Sequence, residues 1–337
     1  MNWLAIDVGG ANLKVSDGGE YAWARHFALW KHPHELADRV RSALVQAPEW
    51  DALAVTMTGE LADCFASKSE GVRFILRAVT EAAGGRDVRV YLVDGRMVAP
   101  SAAFAEPLLA AAANWHALAV FAGRYARSGA AILLDIGSTT CDIVPLVDGR
   151  PAARGRNDTA RLLAGELVYT GVERTPVCAV IDRAPYRGHR CPIVPELFAT
   201  TRDAYIVLGE LEEEPDDCDT ADGRPAVRAA CCDRLARMIC ADSTSFDARD
   251  AAAMACAIAD AQAARIETAL SQVISRMPAP PGAVILSGHG DFLGRRALAE
   301  AGLDVAMLSL AERLGPAAAR VATAHALAVL AREGSEV

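Results

Sequence analysis

The chain has 337 residues, 52% hydrophobic and 23% charged, enough apolar material for two moderate domains with ordinary buried cores. The formal net charge of −9 excludes a broad nucleic-acid surface, because no excess of cations remains to neutralise a row of phosphates. The longest apolar run, PLLAAAANWHALAVFAG (107–123), is broken by Asn114, Trp115 and His116 and falls short of the ~20 apolar residues that a spanning helix needs, so neither nucleic acid nor membrane is expected as a partner.

From the N-terminus, residues 3–8 and 12–15 read as strands joined by a glycine turn, with a third strand near 21–27. Helical periodicity follows at 34–46, with His32 and His34 on a surface loop around Pro33. LAVTMTG (53–59) reads as a buried strand, 70–83 as a helix, VRVYLV (88–93) as a strand, and helices continue to about 118. This alternation is that of an α/β domain. The pattern restarts near 130, where AAILLDIG and DIVPLVDG form a hairpin, and the turns Asp17–Gly18 and Asp148–Gly149 fall at similar distances beyond each loop. An internal duplication follows from this, with domains expected at 1–126 and 127–314. An insertion is expected around 155–250, and a C-terminal helix over 315–337 packing back on the first domain.

Within the insertion, Glu166 is expected to begin a helical segment, and GELEEEPDDCDTADGRPAVR (209–228) reads as an acidic loop. In the helix that follows, Arg228, Arg234 and Arg237 are candidates for holding a substrate anion, set against a solvated face carrying an Asp233–Arg237 pair. Cys218, Cys231, Cys232 and Cys240 lack paired C-x-x-C spacing and read as small buried residues, not zinc ligands. Nine cysteines are an odd number, and the opening MNWLAIDVGG carries no charged leader region, so reduced thiols and a cytoplasmic location are expected. A long helix over 250–276, a strand and glycine turn in AVILSGHGDFLG (283–294), and a helix opened by Gly315–Pro316 complete the chain.

The two hairpins carry the chemistry. In LAIDVGGANLKV (4–15) and LLDIGSTTCDIV (133–144) an aspartate ends a strand, then glycine and small polar residues follow. A tight glycine turn points several backbone N–H groups one way and makes a cradle for phosphate oxygens. Gly9, Gly10, Asn12, Lys14, Gly137, Ser138, Thr139 and Thr140, with the turn Gly288–His289–Gly290, are therefore the expected phosphate-binding residues. Asp7, Asp135 and Asp142 would repel phosphate directly, but make sense around Mg²⁺, which takes oxygen ligands and keeps several waters. Two such loops facing each other would clamp a diphosphate. No G-x-G-x-x-G opens a helix and no Walker lysine motif is present, which excludes the Rossmann and P-loop alternatives.

These three elements resemble the phosphate-1, phosphate-2 and adenosine segments of the actin/hexokinase/Hsp70-like ATPase superfamily, which implies an α/β fold of two duplicated ribonuclease H-like domains around a cleft. MTGELADCF (57–65), SEGV (69–72), GELVYTGVERTPVCAV (165–180), ELFATTRDAYIVLGEL (196–211) and DTADGRP (219–225) resemble the hydantoinase/oxoprolinase-like proteins of tetrahydromethanopterin-linked C1 transfer. That resemblance implies a transferase of methanofuran or methylofuran biosynthesis, joining an aminomethyl-furan methyl diphosphate to the phenol of a phenolic amine or amino acid with release of diphosphate. It implies that Tyr169, Thr170 and Arg174 line the cleft. A homodimer stays open, as do an ATP-dependent kinase or ring-opening hydrolase and a nucleotide sensor.

Departure of diphosphate is favoured where fixed donors and Mg²⁺ meet the charge that develops on it. A phenol attacks better once deprotonated. Glu60 and Asp63 follow a strand end, where α/β sheets place ligands, with Thr58 just before them. Glu60 and Glu166 rank equally as the base, and Asp7, Glu60, Asp135 and Glu166 are the expected catalytic carboxylates.

Overall fold

The computed structural model describes residues 1–334. In the first half, β1 (Trp3–Val8), β2 (Asn12–Ser16), β3 (Ala22–His26), β4 (Ala52–Met57), β5 (Asp87–Tyr91) and β6 (Met97–Val98) form one sheet in the order β3-β2-β1-β4-β5-β6. In the second half come β7 (Ala130–Ile136), β8 (Cys141–Val147), β9 (Arg150–Pro151), β10 (Leu167–Val168), a separate hairpin of β11 (Arg183–Tyr186) and β12 (His189–Pro192), then β13 (Ala283–Ser287) and β14 (Ala306–Ser309). The second sheet runs β10-β8-β7-β13-β14, with β9 paired on β8.

The central strands of the two halves repeat each other. β1 and β7 are each antiparallel to the strand that follows and parallel to a later one, β4 and β13, which is in turn parallel to β5 and β14. The hairpin registers repeat as well: Asp7 lies opposite Lys14, and Asp135 opposite Asp142. The turns close with the same bond, Gly9 N–H to Asn12 O at 2.9 Å and Gly137 N–H to Thr140 O at 3.0 Å. This is the actin/hexokinase/Hsp70-like architecture of two ribonuclease H-like α/β domains around a cleft.

Strand alternation sorts the cores. Leu4, Ile6 and Val8 bury with helices Leu36–Gln46 and Lys68–Ala82 on one face of the first sheet. Ala5 and Ala54 bury on the other face, with helices Asn114–Ala122 and Ala322–Arg332. Leu133 and Val144 of the second sheet enter that same core, so these two helices join the halves. Arg332 donates to Gly18 O at 3.1 Å, tying the last helix to the first hairpin. Ile132, Leu134 and Ile136 bury instead against the long helix Ala248–Ile274. That helix starts on a reciprocal capping box between Asp247 and Asp250.

Four local expectations need correction. The terminal helix is two pieces, Pro316–Arg320 and Ala322–Arg332, broken at Val321, and residues 335–337 lie outside the described residues. Glu166 does not open a helix. It follows the helix Asp158–Ala164, which ends at Gly165 with φ +69°, a conformation glycine adopts without strain. Arg234 is neither a free anion-binding group nor part of a solvated face: it is buried, donating to Asp203 at 2.7 Å and Asp222 at 2.9 Å. Arg237 pairs with Asp222, while Asp233 pairs with Arg224. Cys231 is buried, but Cys218 and Cys240 are exposed.

Candidate functional site

Asp7 continues the alternation of Ala5, so its carboxylate faces the helices that join the two halves. Oδ2 accepts the Thr323 hydroxyl at 2.6 Å and Asn114 Nδ2 at 3.4 Å. Oδ1 is buried on the cleft wall and has no hydrogen-bond partner. Asp135 continues the alternation of Ala131 and Leu133 toward the same core. Burial pushes its carboxyl up to about 6, with the neighbouring Asp142 adding to the rise and Ser287, Lys14 and His289 opposing it. Lys14 belongs to the first half, so the two hairpin mouths sense each other's charge.

The mouths share one cleft of about 470 Å³. Asp7, Gly9, Gly10, Asn12, Lys14, Thr58 and Asp63 line it from the first half, and Asp135, Gly137, Ser138, Thr139, Thr140, Asp142, Tyr169 and Arg174 from the second. The second loop is supported from behind: Val172 N–H donates to Gly137 O, and Arg174 N–H to Ser138 O at 2.9 Å. Gly171 permits this, because a Cβ there would lie 2.4 Å from Thr139 N.

Trp30, Asn114, Trp115, Asp158, Arg161 and Thr323 also line the cleft and were not expected. Asn114 and Trp115 stood out only as interruptions of an apolar run. Arg161 and Thr323 look like ordinary helix residues in the sequence, and their roles arise from packing between distant segments.

Six expected residues are absent from the cleft wall. Glu166 is fully engaged elsewhere: its carboxylate accepts Arg154 N–H at 2.7 Å and Gly155 N–H at 2.9 Å and closes that loop. Thr170 is buried and accepts Gln262 Nε2 at 2.7 Å. Gly288, His289 and Gly290 back onto the end of β7, with Gly290 N–H donating to Ile136 O at 3.0 Å. A Cβ on Gly288 would lie 2.1 Å from that same oxygen, so close packing accounts for the glycine. His289 Nε2 sits 3.0 Å from Glu173 Oε1.

Glu60 lies in the short turn Gly59–Leu61, 1% exposed, with no hydrogen bond to either carboxylate oxygen. Burial raises its carboxyl to about 7; nearby N–H groups and Lys68 oppose the rise, and Asp158 adds to it. Such a shift stabilises the fold fully below pH 4.5, and that stabilisation is lost as pH rises through about 7. The loss amounts to up to about 3 kcal/mol. Glu60→Gln is therefore expected to melt higher than the parent at pH 8, with the advantage gone at pH 5. Melting curves across that range check it, and a pH-independent difference would contradict it.

The three-aspartate metal rim needs correction. Asp142 is paired with the buried Arg161, Nη1 to Oδ1 at 2.7 Å. Arg161 Nη2 donates to Glu166 O at 2.8 Å, and its guanidinium lies 4.0 Å from the Trp115 ring. Among the described residues no group of three or more His, Cys, Asp or Glu is arranged to hold a metal ion. Asp7 Oδ1 and Asp135 remain. One or two carboxylates, completed by phosphate and water, are what Mg²⁺ ordinarily takes, so the donors present fit that ion.

Known proteins resemble this chain along most of its length. The Hydantoinase/oxoprolinase family model matches residues 51–331. A (4-{4-[2-(gamma-L-glutamylamino)ethyl]phenoxymethyl}furan-2-yl)methanamine synthase from Methanocaldococcus jannaschii is 37% identical over 242 residues, 71% of this chain and 72% of that protein. The protein of the same name from Methanococcus vannielii is 38% identical over 117 residues, 35% of this chain and 52% of its own. Among solved structures, a nucleotide-free acetone carboxylase aligns with 91% of this chain and 50% of its own, at 13% identity and a TM-score of 0.49. Among the described residues no helix is long and apolar enough to cross a membrane.

Proposed function

The chain belongs to the hydantoinase/oxoprolinase family, and from that premise we propose that it is a transferase joining an aminomethyl-furan methyl diphosphate to a phenol oxygen and releasing diphosphate. The product name of its archaeal relatives contains that aryl–O–CH₂–furan linkage. The observation that carries the proposal is the repeated loop: two glycine turns open on one cleft, with Asp7 Oδ1 buried and unpartnered on its wall.

The N–H groups and hydroxyls of 138–140, with Asn12 and Lys14, hold the diphosphate and meet its charge as the C–O bond breaks. Asp7 and Asp135 would hold Mg²⁺, which when bound supplies charge neutralisation for the leaving group. The furan spreads the positive charge left on its methylene. Trp30, Leu61 and Tyr169 give the cleft an aromatic and apolar side suited to two rings. Of the cleft carboxylates, Asp142 pairs with Arg161 and Asp158 with Lys68. Asp63 is left as the group to accept the phenolic proton.

Synthetic aminomethyl-furfuryl diphosphate, incubated with Mg²⁺ and tyrosine, tyramine or their glutamyl derivatives, is expected to release one diphosphate per ether formed. Asp63→Asn should slow this about 10²-fold or more. Phosphate release or phosphoryl transfer from ATP, with no ether from the furan diphosphate, would replace this reading with an ATP-dependent one.

A further inference from the structure

Asp7 is held by groups that the fold brings from the middle and the far end of the chain. Thr323 donates its hydroxyl to Asp7 Oδ2 at 2.6 Å across 316 positions of sequence, and Asn114 Nδ2 donates to the same oxygen at 3.4 Å. The first distance is that of a strong hydroxyl–carboxylate bond, and the second is long. Asp7 and Thr323 are 3% and 4% exposed, so little water competes for the bond between them.

Thr323 has little freedom of its own. It sits in the first turn of the helix Ala322–Arg332, whose residues 322–331 are all buried. Ala326, Leu327 and Leu330 share a core with Ala5 and Ala54, and Arg332 ties the other end of the helix to Gly18 O. The backbone breaks at Val321, with φ −116° and ψ 29°, and the helix starts anew just after it. Asn114 opens the helix Asn114–Ala122. The Asp7 carboxylate therefore meets the first turns of two helices, whose N-terminal ends favour an anion. All three residues line the cleft.

We propose that Thr323 is a positioning residue for the ligand-holding carboxylate. Its hydroxyl fixes Oδ2 to the last helix, and so leaves Oδ1, buried and unpartnered, as the oxygen that Asp7 offers to a cation. Without that hydroxyl the carboxylate keeps only the long Asn114 bond, and its rotation about Cβ–Cγ is no longer set. A partner of this kind behind a metal ligand is ordinarily worth about 10–100-fold in metal affinity. The proposal rests on the reading of Asp7 as a Mg²⁺-holding group, but not on the transfer reaction.

Calorimetric titration of diphosphate into the full chain, with Mg²⁺ saturating and with Mg²⁺ withheld, tests it. Thr323→Val is isosteric and lacks the donor. It should bind diphosphate about 10–100-fold more weakly than the parent with Mg²⁺, and no differently without it. Thr323→Ala, with less bulk to accommodate, should show the same loss, and Thr323→Ser, which keeps the donor, should restore most of it. A residue that only packs the helix would lower the melting temperature and leave the gain in affinity from Mg²⁺ as in the parent. Thr323→Val at the parent's affinity, with parent binding dependent on Mg²⁺, would overturn the proposal alone. A loss that persists without Mg²⁺ would place the hydroxyl on the diphosphate itself and overturn it too. Parent binding that ignores Mg²⁺ would remove the metal reading and this proposal with it.

Discussion

Asp7→Asn is expected to lower turnover about 10³-fold, some 4 kcal/mol of barrier, while leaving the melting temperature nearly unchanged. The amide is isosteric. Its oxygen can still accept the Thr323 hydroxyl and Asn114 Nδ2, the two bonds that hold the Asp7 side chain. What changes is the other oxygen. Oδ1, buried and unpartnered, becomes an NH₂ group with neither charge nor a lone pair to offer a cation. Loss of activity with fold retained is the signature of a ligand-holding carboxylate. A matching loss of stability would make Asp7 a packing residue instead. Steady-state rates and melting curves on the same preparation separate the two.

The second large effect is on stability. Arg161→Met is expected to cost about 3–5 kcal/mol. Arg161 is 1% exposed, donates to Asp142 and to Glu166 O, and stacks on Trp115. Removing it strands the Asp142 carboxylate, for which burial already favours the neutral form against the pull of Arg161. The double variant Arg161→Met/Asp142→Asn should recover much of the loss, because deleting both halves of a buried pair leaves no unpaired charge. Denaturant unfolding of the parent, the single and the double variant checks this. A double variant no more stable than Arg161→Met would mean that the Trp115 and Glu166 contacts dominate.

Much of this architecture is legible in the sequence because its signals are local. Apolar alternation over 3–8 and 130–136, glycine after aspartate, and Asp–Gly turns mark both hairpins, and each repeats its register in three dimensions. The loops that line the cleft are found the same way. The misses concern groups whose surroundings are assembled from distant segments. Glu60 and Glu166 look alike as carboxylates beside element ends. Yet one is buried without a partner and the other is tied to Arg154 and Gly155. Arg161 sits in a short helix that no strong periodicity announces, and its partners on β8 and at Trp115 are set by tertiary packing. The glycines at 288 and 290 suggest a ligand approach, but the atoms they approach are the protein's own, first those of Ile136 and then Asp135 and Val172.

Calorimetric titration of diphosphate into the protein, with and without Mg²⁺, addresses the joint grip of the two hairpin mouths most directly. The expected result is one Mg²⁺-dependent site per chain in the parent, lost in both Asp7→Asn and Asp135→Asn, one from each half. Binding that ignores Mg²⁺, or that survives either substitution undiminished, would contradict a diphosphate held between the two loops.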